Sequence, residues 1–173
     1  MKNFTARDYT LIALVAALYV VLTVTPPLNA ISYGPLQFRI SEMLNLLIFF
    51  NRRYIYAVTM GVVIANLFNP IIPIFDPIVG GLLQTGLFLF LSYKLFNRYR
   101  EDYFFNVINK AHLFFAILFS LSMILIASEL VFAGFTSEGI LITYLWLVLS
   151  EFVVIMIGSV LFDQIGRRID LTK

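Results

Sequence analysis

The sequence contains no cysteine and only one histidine, and both shortages exclude kinds of chemistry. Among 173 residues there is no Cys, and the single His is His112. Without thiols the chain forms no disulfide, carries no thiol nucleophile and builds no thiolate metal site. No spacing of His, Asp and Glu suits a metal, and no Gly-rich phosphate loop is present. His112 falls at the opposite end of the predicted spans from most of the other polar candidates, so no Ser–His pair is expected. We therefore expect neither an enzyme nor a metal or cofactor site.

Charge is also scarce. Only 13% of residues are charged and 61% are hydrophobic, and the mean hydropathy is +0.92. Soluble domains have about 25% charged residues, so the composition indicates an integral membrane protein. The length suits one bundle over residues 1–173, an all-α transmembrane domain. The net charge of +2 does not indicate nucleic-acid binding, because the basic residues lie at the ends of apolar segments.

Six apolar segments are separated by short polar joints. The predicted spans cover about residues 9–25, 37–50, 54–68, 77–96, 110–132 and 139–166. A spanning helix needs about 17–25 residues, so the second and third are short, and we expect them to tilt or to begin below the surface. The first span ends at Pro26-Pro27 without a small-residue cleavage pattern, which indicates an uncleaved span.

The basic residues predict the orientation. If the N-terminus is cytoplasmic, all but one of the 12 Lys and Arg residues fall on the cytoplasmic side, as the positive-inside rule requires. These are Lys2, Arg7, Arg52, Arg53, Lys94, Arg98, Arg100, Lys110, Arg167, Arg168 and Lys173. Six spans then place both termini in the cytoplasm. The exception, Arg39, lies at the outer end of the second span and is a candidate functional residue.

Two outer joints are stiff and apolar rather than polar. Residues 26–36 are rich in Pro and Gly, and residues 69–77 contain three prolines. We expect both to fold back onto the bundle as a lid. The inner joint, residues 97–109, is charged and amphipathic, and we expect it to lie along the cytoplasmic face.

The second span carries a row of polar residues. Glu42 follows Arg39 by three residues and Asn45 follows Glu42 by three, which places them on one helix face. Two interpretations stay open. Arg39 and Glu42 form an intrahelical ion pair that lowers the cost of insertion, or the row forms a polar wall for a ligand.

Glu151 lies near the middle of the sixth span, seven residues from both Tyr144 and Gly158. A carboxylate at that depth must be neutral, paired with another helix or bound to a ligand. A protonated packing residue and a ligand-binding residue are both open interpretations.

Further polar residues flank the outer half of the bundle. Asn66 can cap the third span or face a ligand. Asp76 and Gln84 share a face of the fourth span with Gly80, although Asp76 also suits a helix start before Pro77 and the glycine suits close packing. We expect Glu129 and His112 to be interfacial.

The first span contains small residues at four-residue and adjacent spacing: Ala13, Ala16 and Ala17. Such a strip lets another helix approach closely. The partner is either a helix of this bundle or a helix of another subunit.

Several motifs resemble one family. The run Tyr-Gly-Pro-Leu-Gln-Phe-Arg-Ile-Ser-Glu-Met-Leu at residues 33–44 resembles the first loop and second helix of the QueT family, which are S components of energy-coupling factor (ECF) transporters. Residues 61–66, 76–85 and 150–158 resemble its later motifs in the same order. The resemblance covers nearly the whole chain.

The resemblance implies the six-helix S-component bundle in a bacterial cell membrane, and a substrate among queuosine precursors, 7-deazaguanines such as preQ1. It implies partners, namely a transmembrane coupling subunit and two ATPases that use the ATP. It also favours subunit docking for the strip of Ala13, Ala16 and Ala17. A deazaguanine offers two adjacent N–H donors to a carboxylate, and its carbonyl requires a donor. The candidate substrate-binding residues are Gln37, Arg39, Glu42, Asn45, Asn66, Asp76, Gln84, Tyr144 and Glu151. An S component for another flat heterocycle and a packing or assembly protein without a ligand remain the alternatives.

Overall fold

The computed structural model describes residues 4–33, 37–70, 72, 74–105, 107–169 and 171. Lys2, Lys173, and the Gly34, Pro35 and Leu36 part of the first outer loop therefore lie outside the described residues, as do Ile71 and Pro73 of the second. Within the described part, four helices are long and apolar enough to cross a membrane: helix 1 (Ala6–Val24), helix 4 (Pro77–Tyr99), helix 5 (Lys110–Phe132) and helix 6 (Gly139–Gly166).

Two shorter apolar helices complete the set among the described residues. They are helix 2 (Ile40–Phe49) and helix 3 (Arg53–Asn66). The prediction that the second and third segments are short is confirmed. The all-α class is confirmed as well, and four of the six predicted spans are helices long and apolar enough to cross a membrane.

Helix 2 occupies the centre of the protein. It contacts helices 1, 3, 4 and 6, and every residue from Leu44 to Phe49 is buried. Its ten residues form a 3₁₀ helix, whereas such helices usually extend only three or four residues. A central helix is surrounded by other helices rather than by lipid, so it need not reach across the membrane.

Close helix approaches hold the bundle together. Helix 1 packs along helix 3, where a Cβ on Gly61 would lie 2.7 Å from the Cβ of Tyr19. Helix 6 meets helix 2 where a Cβ on Gly158 would lie 2.8 Å from the Cβ of Met43. In lipid there is no hydrophobic driving force between helices, so helices associate through close packing, which small residues at such crossings permit.

Two helices are irregular where the polar residues lie. Helix 4 begins at Pro77 as a π-helix and becomes a regular α-helix at Phe88. Helix 5 consists of Lys110–Leu121 and Ile124–Phe132, separated by a break at Ser122 and Met123. π-Helical segments inside helices, such as the start of helix 4, occur frequently at functional sites.

The joint of residues 97–109 differs from the prediction. Residues Tyr103–Phe104 (β1) and Ile108–Asn109 (β2) pair as short antiparallel strands. Asn109 then caps helix 5 by accepting from the amides of Ala111 and His112. The charged joint therefore contains a pair of short strands that its amphipathic pattern did not predict. Strands of two residues are too short to leave a periodic signal in the sequence.

The lateral surface of the bundle is apolar. Large hydrophobic side chains are exposed on every long helix, for example Leu14, Leu82, Ile117 and Leu141. Soluble proteins rarely expose continuous apolar surface of this extent. The arrangement, with polar residues inside and apolar residues outside, is that of a protein surrounded by lipid.

Candidate functional site

Arg39 forms the centre of a polar cluster at the end of the bundle that is predicted to face outward. Its guanidinium donates to the backbone oxygen of Ser32 at 2.9 Å, to Oδ1 of Asn66 at 3.0 Å and to Oδ2 of Asp76 at 3.5 Å. It also lies over the ring of Tyr33, 5.4 Å from the centroid. Arg39 thus joins the first outer loop to helices 3 and 4.

Asp76 is the acid that pairs with Arg39. Its Oδ2 also accepts from Nδ2 of Asn69 at 2.7 Å, while its backbone oxygen accepts from Nδ2 of Asn66 at 3.1 Å. Asp76 immediately precedes helix 4, with Pro77 at the first position as predicted, but its carboxylate does not cap that helix. Asn66 does not act as a cap either, because its side-chain amide accepts from Arg39 and donates to the backbone oxygen of Asp76.

Gly80 permits this cluster to form. A Cβ on Gly80 would lie 2.5 Å from Oδ1 of Asp76 and 2.9 Å from Nδ2 of Asn66. Oδ1 is itself buried and has no hydrogen-bond partner within the described residues. The absence of a side chain therefore provides the space in which the two polar groups meet.

Glu42 belongs to a different network. Its carboxylate accepts from the hydroxyl of Tyr19 at 2.5 Å and from Nδ2 of Asn45 at 2.6 Å. No ion pair between Arg39 and Glu42 is present within the part of the chain that the structure describes. The intrahelical ion pair, one of the two interpretations left open, is therefore wrong. Arg39 precedes helix 2, and its side chain extends to Asp76 instead.

Glu151 is a buried carboxylate on helix 6. It is fully buried, and within the described residues neither carboxylate oxygen has a hydrogen-bond partner. It lies within electrostatic range of Glu42 and Arg39, so helix 6 contributes its carboxylate to the same interior as helix 2. Burying a carboxylate without partners is costly, and donors from a bound molecule would lower that cost.

Gln84 and Tyr144 both face the break in helix 5. Nε2 of Gln84 donates to Oγ of Ser122 at 3.2 Å and lies 3.3 Å from the sulfur of Met123. The hydroxyl of Tyr144 donates to the backbone oxygen of Leu121 at 3.2 Å. The Tyr144 bond satisfies a backbone oxygen that the interrupted helix leaves open, whereas the Gln84 contacts are to side chains.

Gln37 is buried but lies before helix 2 rather than in it, with a φ of +35°. A residue other than glycine in that region is strained, and such strain often occurs at functional sites. Helix 2 begins at Ile40, so Gln37, the first residue of the predicted span 37–50, lies outside the helix.

The small residues of helix 1 divide between two faces. Ala13 and Ala17 are exposed, together with Leu14 and Leu18, whereas Ala16 is buried. A Cβ on Gly61 of helix 3 would lie 3.1 Å from the backbone oxygen of Ala16. Ala16 is thus part of the internal helix contact, which differs from its predicted docking role.

Sequence reasoning missed several contributors. Tyr19 gave only one signal, a hydroxyl inside an apolar span. Glu129 was expected to be interfacial, yet both carboxylate oxygens are buried without a partner among the described residues. His112 was also expected to be interfacial, but it is buried and its Nδ1 lies 3.0 Å from Oγ of Ser159, a Ser–His contact that was not expected.

The arrangement of these polar groups suits the binding of a ligand. Buried acceptors without partners lie on Glu151, Glu129, Asn45 and Asp76 within the described part, and Arg39 supplies a cation nearby. No group of three or more His, Cys, Asp or Glu residues that could hold a metal occurs among the residues searched, which are the described ones. Such a set of acceptors can receive the N–H donors of a polar molecule.

Comparison with known proteins agrees with this geometry. The model of the QueT family, described as QueT transporter, matches residues 9–167. The chain is 51% identical over 174 residues to the queuosine precursor transporter QueT of Lactococcus lactis subsp. cremoris (strain MG1363), and the match covers 100% of both chains. No solved structure matches this chain.

Proposed function

Because this chain belongs to the QueT family of membrane transporters, we propose that it is the substrate-binding S component of an ECF importer and that it captures a queuosine precursor, a 7-deazaguanine such as preQ1. The L. lactis relative is named a queuosine precursor transporter. In this proposal the two short helices and the four long ones form the six-helix S-component bundle, which works with a coupling subunit and two ATPases.

The observation that carries the proposal is the carboxylate of Glu151. It is fully buried and both oxygens lack a partner in the described part of the chain. The guanine-like edge of a 7-deazaguanine presents two adjacent N–H donors, which one carboxylate accepts together. We propose that Glu151 makes this pair of bonds.

Glu42 is less suited to that role. Tyr19 and Asn45 already donate to its two oxygens, so Glu42 has fewer free acceptor sites for a ligand than Glu151. We propose that Glu42 acts indirectly, since it holds Asn45, whose Oδ1 is buried and free of described partners. That oxygen offers one further acceptor to the ligand.

Arg39, Asn66 and Asp76 have a supporting role in the proposal. Their mutual bonds connect the first outer loop to helices 3 and 4. That places them between the interior and the outer loops, where they hold the site closed over a ligand. Gln37, Gln84 and Tyr144 complete the proposed set of residues, with Gln84 and Tyr144 placed at the break in helix 5.

The test is ligand binding by the purified protein. We expect preQ1 to stabilise it, by about 2.7 kcal/mol at 100 times the dissociation constant. Glu151→Gln keeps the shape but turns one acceptor into a donor, which costs about 1–3 kcal/mol or more for a charged group. Affinity measured by isothermal titration should then fall about tenfold to several hundredfold.

A matched control is Glu138→Gln, the same change at an exposed position next to helix 6. It should bind preQ1 like the parent. If Glu151→Gln binds preQ1 unchanged, the proposed contact is wrong. Binding of another heterocycle in place of preQ1 would overturn the substrate, and failure of every heterocycle and vitamin to bind would favour a packing or assembly protein.

A further inference from the structure

A groove lies on the membrane-facing surface between helices 3 and 4, away from the polar interior. Its cavity volume is about 500 Å³. Apolar side chains form most of its wall, chiefly Ile55, Tyr56, Met60, Phe90 and Tyr93. Gly86 forms part of the floor, where a Cβ would lie 3.2 Å from Cγ2 of Thr59, so the two helices approach closely there and the larger side chains line the sides.

Two basic residues line one end of this groove. Helices 3 and 4 run antiparallel, so Arg52, just before helix 3, and Lys94, in the last turn of the α-helical part of helix 4, come to the same end. Within the described residues neither forms an ion pair, whereas the neighbouring Arg53 pairs with Asp8 at 2.6 Å. The ammonium of Lys94 lies 4.6 Å from the ring centroid of Phe90, a wall residue.

The dimensions match one leaflet of a bilayer. Lys94 follows Gly86 by eight positions, and a helix rises 1.5 Å per residue, so the groove extends about 12 Å from its basic end. One leaflet contributes half of a hydrocarbon core of about 30 Å. A charged group at Arg52 and Lys94 would therefore lie at the membrane boundary while its apolar chain followed the groove inward.

We propose that this groove is a binding site for an anionic phospholipid. The phosphate lies between Arg52 and Lys94, and one acyl chain lies against Tyr56, Met60 and Phe90. Basic residues at the end of a transmembrane groove attract anionic headgroups, while a zwitterionic headgroup offers no net charge. A partner helix is a poorer match, because helix docking favours small residues and this wall carries large ones.

The experiment compares lipids that remain bound to the purified protein. The full chain is equilibrated with equimolar phosphatidylglycerol and phosphatidylcholine, and retained lipid is counted by native mass spectrometry. We expect phosphatidylglycerol to be preferred about tenfold, as two basic residues near an anionic headgroup predict. The double variant Arg52→Gln, Lys94→Gln should lose this preference. Both side chains are exposed, so the fold should survive.

Two controls make the outcome specific. Arg98→Gln with Arg168→Gln removes the same charge from two exposed residues that do not line the groove and should keep the preference. Met60→Trp fills the groove and should lower retention of both lipids severalfold, whereas Ile64→Trp, one turn further along helix 3 and outside the lining, should not. Equal retention of both lipids by the parent, equal loss in both double variants, or an unchanged Met60→Trp would each overturn the proposal.

Discussion

The hydroxyl of Tyr19 donates a hydrogen bond of 2.5 Å to Oε1 of Glu42 and so connects helix 1 to helix 2. Asn45 donates to the other oxygen at 2.6 Å. Both oxygens of Glu42 therefore already accept a hydrogen bond from the protein, whereas Glu151 has no described partner. The sequence left these two acids equivalent, and the structure distinguishes a carboxylate that holds helices together from one that is free to accept.

The first prediction follows from the orientation of Asn45. In Glu42→Gln the new amide nitrogen would face Nδ2 of Asn45, but a flip of Asn45 would present Oδ1, which is free of described partners. We expect little change in the thermal unfolding of this variant. Glu42→Leu instead leaves the Tyr19 hydroxyl and the Asn45 amide unsatisfied, at about 1–3 kcal/mol each, and should unfold at a clearly lower temperature.

Glu138→Leu is the matched control for Glu42→Leu, since Glu138 is exposed and its removal should leave the unfolding temperature unchanged. Equal destabilisation by Glu42→Gln and Glu42→Leu would contradict the flip. The measurement is made in one detergent without ligand, so that binding does not contribute.

The second prediction concerns Gly80. In Gly80→Ala the added methyl would lie 2.5 Å from Oδ1 of Asp76, so the Asp76–Asn66 cluster must shift. Overpacking of this kind costs about 1–3 kcal/mol. We expect Gly80→Ala to lower both the free energy of unfolding and the affinity for preQ1. Gly86→Ala, whose methyl would lie 3.2 Å from Thr59, should have the smaller effect, and the reverse order would show that the cluster is not held by Gly80.

The third prediction separates the faces of helix 1. Ala13 is exposed and Ala16 is buried against helix 3. Ala13→Trp should leave preQ1 binding by the isolated protein nearly intact and abolish co-purification with the coupling subunit. Ala16→Trp should destabilise the bundle itself, because the indole ring has no space at the contact with Gly61.

Leu82→Trp serves as the control for the added ring, since Leu82 is 54% exposed on helix 4. It should permit both ligand binding and co-purification. If Ala13→Trp lost ligand binding to the same extent as co-purification, the exposed alanines would belong to the bundle and not to a docking surface.

The fourth prediction concerns orientation, for which both termini are expected in the cytoplasm. Positions 2 and 173 lie outside the described residues, and Ser32 is only 1% exposed, so Ala30 and Val107 are better labelling positions. Both are exposed and lie at opposite ends of the bundle. Because the chain has no Cys, single-Cys variants need no further change.

A membrane-impermeant maleimide should label Ala30→Cys in intact cells and Val107→Cys only after the membrane is opened. Labelling of Val107→Cys in intact cells, together with protection of Ala30→Cys, would invert the orientation. The basic residues predict the first outcome, because Lys and Arg in short loops stay on the cytoplasmic side during insertion.

The sequence by itself determined the class of protein and the approximate positions of its helices. Sixty-one per cent hydrophobic residues in long runs exclude a soluble fold, and Pro77 and Gly139 each begin a helix close to where the pattern predicts one. These features are local, because the length and hydrophobicity of a segment decide whether it enters a membrane. The family resemblance also rested on contiguous motifs.

Tertiary structure alone decided which polar residues meet. Arg39 pairs with Asp76, 37 residues away, rather than with Glu42 three residues away. Glu42 bonds Tyr19 of helix 1, and Ala16 separates from Ala13 because helix 3 covers only one face of helix 1. Spacing along a chain shows which side chains share a helix face, but partners depend on which helices lie side by side, and in a bundle those contacts join residues that are distant in sequence.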